Sequence, residues 1–80
     1  NKIYAIVNDT RENPDLEIPA SPRAGIYLTR LVDRYMERFE DENEAIRFFA
    51  PSVLSKEMRV RDPTKTVESI ISEILEKRLE

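Results

Sequence analysis

The sequence contains neither cysteine nor histidine. Without cysteine no disulfide can form, and without either side chain the protein has no thiolate or imidazole ligand for a transition metal. These absences exclude disulfide scaffolds, zinc fingers and catalysis that depends on cysteine or histidine. No apolar run approaches the roughly 18 residues that span a bilayer, and no basic segment leads into an apolar one as in a signal peptide. We therefore expect a cytoplasmic protein with no membrane partner.

Glycine is almost missing as well, with one residue in the whole sequence. A phosphate-binding loop of the glycine-rich kind is therefore excluded. No nucleophile and base stand at a spacing typical of a hydrolase, and a deep pocket would strain a domain this small. We expect a protein that is not an enzyme, with no catalytic residues, no metal and no cofactor.

The length and the charge balance limit the remaining classes. Eighty residues, of which 40% are hydrophobic and 36% charged, are typical of a single small globular domain over 1–80. Thirteen basic residues against sixteen acidic ones give a net charge of −3. This balance argues against coating nucleic acid or anionic membrane by bulk electrostatics, so any such contact must be local.

The N-terminal part of the chain has a strand-like composition. Residues 2–7 are short, rich in β-formers and followed by a turn-forming cluster, which predicts a strand. Prolines interrupt the connection that follows, so helix is not expected there. Within it Leu16 and Ile18 alternate with Glu17, which favours either a surface loop or a short edge strand.

A long amphipathic helix is expected after this connection. Ser21 is a favourable N-cap and Pro22 is well tolerated at the first helical position. From Ala24 to about Glu40 apolar residues recur every three or four positions, which is typical of a helix with one face in a core. Gly25 lies in its first turn, where it either costs some stability or admits a close backbone neighbour. The sequence favours the simple cost.

A shorter second helix is predicted next. The acidic run of residues 40–44 suits a helix start and leads into the apolar residues 45–50, after which Pro51 is expected to stop the helix. Residues 52–57 could add another helical turn.

The C-terminal third combines a strand and a helix. Met58-Arg59-Val60-Arg61 alternates apolar with basic residues and predicts a half-buried strand. Asp62-Pro63 repeats the cap-then-proline signal, so a broad amphipathic helix is expected from there to the C-terminus.

These elements define a mostly helical α+β fold in the order strand, helix, helix, strand, helix. Domains of this size bury only about 60% of their unfolded surface, and two short strands make a poor sheet alone. Many domains of this size fold alone, so a monomer is the alternative. Transition-metal ligands and disulfides are both missing, however, and a second copy is then the remaining way to add buried area. We therefore expect a homodimer, formed through the apolar arc of the last helix at Val67, Ile70 and Ile74.

A stripe of arginine is the sharpest chemical feature. Arg23, Arg30, Arg34 and Arg38 lie along one edge of the long helix, with Tyr27 among them. Guanidinium groups bind phosphate oxygens well, which gives a nucleic-acid interpretation. The alternative is a ladder of salt bridges, within the chain or between chains, to acidic residues of the first loop or of the last helix. Because acid exceeds base, the sequence favours the ladder.

A second basic cluster surrounds the predicted strand. Arg59 and Arg61 share one face of it, and such strands, paired across a dimer, could form a ribbon that enters a major groove. The alternative is a solvated edge whose charges discourage aggregation.

The aromatic residues Phe48 and Phe49 diverge by about 100° on a helix, so one of them could anchor a partner, although core positions for both are favoured.

From the sequence as a whole we expect a non-catalytic protein–protein interaction or regulatory module that binds another protein. A DNA-binding regulator is the alternative.

Overall fold

The computed structural model describes residues 1–79 of the chain. It confirms the mostly helical α+β class: within these residues four α-helices surround a core beside one two-stranded antiparallel sheet. The elements are α1 (Lys2–Glu12), β1 (Leu16–Ile18), α2 (Pro22–Tyr35), a 3-10 turn (Met36–Arg38), α3 (Glu42–Leu54), β2 (Arg59–Val60) and α4 (Val67–Leu79).

The first element is a helix, and the predicted strand at residues 2–7 is wrong. Asn1 caps α1, since its side-chain oxygen accepts a hydrogen bond from the backbone N–H of Tyr4 at 2.8 Å. Ile3, Ile6 and Val7 are buried at spacings of three and one, on the side of α1 that faces α2 and α4. A short run of β-branched residues suits a strand in isolation, but burial along one helical face outweighs that weak preference.

The start of α2 confirms the predicted cap. Ser21 Oγ accepts from the backbone N–H of Ala24 at 3.1 Å, and Pro22 occupies the first turn. The α-helix ends at Tyr35 and tightens into the 3-10 turn, somewhat before the predicted end near Glu40. The whole of α2 is thus oriented by its buried face against α1 and α3.

Pro51 does not stop α3, contrary to the prediction. Asp41 caps this helix by accepting from the N–H of Glu44 at 2.9 Å, and the helix continues through Pro51 to Leu54. Proline removes a single hydrogen bond, the one that residue 51 would donate to the carbonyl of residue 47. Burial of Ala50, Val53 and Leu54 on either side of it stabilises the last turn.

The small sheet joins the two short strands that the alternating patterns indicated. β1 and β2 pair in antiparallel fashion, with Leu16 opposite Val60 and Ile18 opposite Arg59 and an irregularity between. The N–H of Arg61 donates to the carbonyl of Asp15 at 2.8 Å and prolongs the ladder by one bond. The edge strand at Leu16–Ile18 and the strand within residues 58–61 are therefore confirmed.

The last helix begins four residues later than the cap-then-proline signal predicted. Asp62 instead closes a turn, in which its Oδ1 accepts from the N–H and the hydroxyl of Thr64 at 2.9 and 2.8 Å. The hydroxyl of Thr66 accepts from the N–H of Ser69 at 3.1 Å and caps α4. The helix then packs against α1 and α3.

The core is apolar and contains a single buried polar side chain among the described residues, Thr10. Its hydroxyl donates to the carbonyl of Val7 at 2.6 Å and accepts from the N–H of Ala20 at 3.1 Å. Thr10 therefore fixes the segment before α2 to the end of α1. Within residues 1–79, no helix combines the length and the apolar character needed to cross a membrane.

Candidate interaction surfaces

The predicted arginine stripe lies on the outer side of α2. Arg23, Arg30 and Arg34 project from the face opposite the buried Leu28 and Val32, and all three are exposed. Arg38 is exposed in the 3-10 turn that follows. The structure therefore places three of the predicted arginines on the outer face of α2 and the fourth in the turn that ends it.

The ladder of salt bridges is not formed among residues 1–79 of one chain. Among residues 1–79 the ion pairs are Lys65 with Asp15, at 2.7 Å, and Arg78 with Asp9. None of the stripe arginines lies within 4.0 Å of a carboxylate oxygen of these residues. Within this part of the chain the internal ladder, which the acid excess favoured, is therefore not formed, and Asp15 of the first loop pairs with Lys65 instead. The form between chains stays a prediction.

Two arginines of the stripe cover an aromatic ring. The guanidinium carbons of Arg34 and Arg38 lie 5.7 and 5.4 Å from the ring centroid of Tyr35. Cation–π contacts at exposed sites contribute on the order of 0.5–1 kcal/mol each. The contacts place these two exposed cations beside an apolar surface.

That apolar surface is formed by four aromatic side chains at the junction of α2 and α3, which we call the aromatic patch: Tyr35, Phe39, Phe48 and Phe49. The ring centroids of Phe39 and Phe48 lie 5.5 Å apart, and those of Phe48 and Phe49 lie 5.1 Å apart in an edge-to-face arrangement. Phe48 is 68% exposed, whereas Phe49 is half-buried and packs on the core. The sequence favoured core positions for both, and Phe48 corrects that expectation.

A second exposed apolar surface is the groove between α1 and α2, which we call the α1–α2 groove. Tyr4 and Ile26 stand on it with 70% and 56% of their surface exposed, above a floor that includes Val7 and Gly25. The sequence did not indicate that Tyr4 would be exposed, because residues 2–7 were predicted as a strand and not as a helix. Ile26 could have been found, since it falls outside the apolar stripe of α2 and points to solvent on a helical projection.

The three residues that the sequence predicted for a dimer interface lie in or against the core of a single chain. Ile70 and Ile74 are 2% and 7% exposed within a single chain, and Val67 is half-buried at the start of α4. Because α4 packs against both α1 and α3, its broad apolar arc closes the core of one chain. Ile70 and Ile74 leave no free apolar surface for a second copy.

The basic strand cluster is exposed at the sheet. Arg59 and Arg61 point to solvent, and β2 pairs with β1 of the same chain. The ribbon in the structure therefore forms within one chain, from the three residues of β1 and the two residues of β2. A pairing of β2 across a dimer stays a prediction.

Hydrogen bonds lower the pKa of two carboxyl groups, those of Asp9 in α1 and of Asp62 after β2. The Arg78 guanidinium donates to both oxygens of Asp9, and this lowers the pKa of the Asp9 carboxyl. The hydrogen bonds from Thr64 lower the pKa of Asp62. Both are structural contacts. In the part of the chain that the structure describes, no three acidic side chains converge as a metal site requires.

Comparisons of the chain with protein-family models, with curated proteins and with solved structures find no match. The function must therefore be inferred from the surfaces themselves.

Proposed function

We propose that the chain is a non-catalytic protein-interaction or regulatory module that acts as a homodimer. The observation that supports this is apolar surface left over by a closed core. Single exposed hydrophobic residues are normal on a protein, but Phe48 is continuous with the ring of Phe39, and Tyr4 and Ile26 share one groove. The 80-residue chain thus has two separate exposed apolar areas, and a single interface with one partner would cover only one of them. A cytoplasmic location stays a prediction.

The two areas suit two occupants. In a homodimer a second copy of the chain would cover one area, and a different protein would bind at the other. Recognition at each would depend on an exposed aromatic side chain, since aromatic side chains are enriched in the cores of protein interfaces. Binding at either area would involve mainly apolar and aromatic contacts, which is consistent with an interaction module.

The test of the homodimer is the solution mass of the full chain over a series of concentrations, measured by sedimentation equilibrium. We expect a species of twice the chain mass that dissociates on dilution. A single species with the mass of one chain at every concentration would contradict the proposal.

A second candidate function is nucleic-acid binding, which the arginine stripe favours. Four exposed cations without an ionic partner among the described residues are available for phosphate oxygens. The test is titration of labelled duplex DNA at two salt concentrations. If the stripe binds phosphate, affinity falls steeply with salt, and replacing Arg30 and Arg34 with glutamine reduces the salt slope by about two contacts.

The matched control replaces Arg59 and Arg61 with glutamine. Loss of the salt-dependent affinity in this variant alone would assign the contact to the basic strand instead of the stripe. No binding at low salt would remove this candidate function.

A further inference from the structure

We propose that the aromatic patch is the face on which a second copy of this chain docks, around a two-fold axis that brings the two Phe48 side chains together. This inference rests on the homodimer proposed above and assigns its interface. The patch replaces the apolar arc of α4, whose side chains Ile70 and Ile74 already serve the core.

The apolar component of the proposed interface is Phe48 with its neighbours. Phe48 is 68% exposed although its ring touches those of Phe39 and Phe49. The cleft beside it is lined by Leu31, Tyr35 and the same phenylalanines. A large ring that is ordered by two neighbours and still open to water loses little conformational entropy on binding, which is the property of an interface anchor.

The charged component favours a second copy over other occupants. Arg34 and Arg38 are held over Tyr35, on the α2 side of the patch. Glu44 lies one turn before Phe48 on the exposed face of α3 and forms no ion pair with residues 1–79. The patch therefore carries unpaired charges of both signs.

A mixed-sign patch is compatible with its own copy. A two-fold interface uses the same surface twice, so it must be self-complementary, and here the arginines of one copy can meet the carboxylate of the other. A nucleic acid would place phosphates against Glu44 as well as against the arginines, and would gain less.

The size of the patch sets the strength of the dimer. Specific interfaces bury about 800 Å² per partner, and weak ones less. An interface built on four aromatic side chains and three charged ones lies at the low end of this range. We therefore expect a reversible equilibrium between monomer and dimer.

The first experiment compares Phe48→Ser with Tyr4→Ser by sedimentation equilibrium of the full chain. Both residues are exposed aromatics, at 68% and 70%, so neither variant disturbs the core, and circular dichroism checks the fold. We expect Phe48→Ser to raise the dimer dissociation constant about tenfold or more, the effect of losing one buried aromatic anchor. Tyr4→Ser should leave it unchanged.

The second experiment tests the charges. Arg34→Glu combined with Arg38→Glu makes the patch uniformly acidic, so it should weaken the dimer. Adding Glu44→Lys restores opposite signs in inverted positions and should recover dimerisation. Failure of this recovery would overturn the proposed interface.

The failures of the two proposals are distinguishable. A wild-type dimer that Phe48→Ser does not weaken, or that Tyr4→Ser dissociates, overturns the aromatic patch as the interface but leaves the homodimer. A wild-type protein that stays monomeric at every concentration overturns both.

Discussion

Gly25 of α2 lies directly against the side chain of Val7 in α1: a Cβ atom added at residue 25 would lie 3.0 Å from Val7 Cγ2. This distance is tighter than nine in ten contacts of real Cβ atoms, so the Val7 side chain would have to move by a few tenths of an ångström. The only glycine of the sequence therefore serves the approach of two helices, and the favoured interpretation as a simple loss of helix stability is corrected.

The contact predicts the sign of a substitution. Alanine in place of glycine inside a helix usually adds about 1 kcal/mol of stability. At Gly25 we expect Gly25→Ala to lower the free energy of unfolding instead, because the buried and β-branched Val7 cannot turn aside and overpacking costs about 1–3 kcal/mol. Urea denaturation measures the change.

The matched control is the same change in a Val7→Ala background. There the crowding methyl group is gone, so Gly25→Ala should recover the usual gain of about 1 kcal/mol. Equal effects of Gly25→Ala in the two backgrounds would show that the Val7 contact does not limit the packing of α1 on α2.

Thr10 gives the second prediction. Its buried hydroxyl is the acceptor for the N–H of Ala20, at 3.1 Å. Thr10→Val keeps the volume but leaves this N–H without a partner, which we expect to cost about 1–3 kcal/mol of stability. The direct measurement is amide hydrogen exchange at Ala20, which should accelerate in Thr10→Val and stay slow in Thr10→Ser. Unchanged protection in Thr10→Val would contradict the prediction.

Local chemistry explains what the sequence predicted well. Ser21-Pro22 marks the start of α2 because the side-chain cap and the fixed proline angle act within one turn. The alternation in Leu16–Ile18 and Arg59–Val60 likewise predicts strands from neighbouring residues alone.

Long-range packing explains what the sequence did not predict. Residues 2–7 suit either a strand or a helix, and only their burial against α2 and α4 decides between the two. The exposure of Phe48, and not of Phe49, depends on the rotation of α3 against α2, which no local pattern fixes. The helical period alone predicts the arginine stripe. Whether its arginines find ionic partners depends on where the acidic segments fold, and among residues 1–79 they find none.

Pro51 gives a third prediction, since it lies inside α3. Pro51→Ala restores a helical hydrogen bond to the carbonyl of residue 47, so we expect stability to rise by about 1–2 kcal/mol, less than the full helix penalty because proline also restricts the unfolded chain. Helix content by circular dichroism should stay nearly constant. Pro22→Ala is the control, and should bring no gain because the first turn needs no donor there. A large increase in helix content of Pro51→Ala would indicate that the helix ends at residue 51.

The ion pair between Asp9 and Arg78 predicts the response to acid. The hydrogen bonds from Arg78 lower the pKa of the Asp9 carboxyl in the folded chain below its unfolded value of about 3.9. The stabilisation is therefore complete above the unfolded pKa and is lost as the pH falls through the folded pKa. We expect Asp9→Asn to be less stable than wild type at pH 7 and to approach wild-type stability as the pH falls from about 3.9 through the folded pKa of Asp9. Urea denaturation across this pH range measures the difference, and Arg78→Gln should give the same profile. A deficit of Asp9→Asn that persists unchanged at low pH would mean that the lost stability comes from packing and not from the charge.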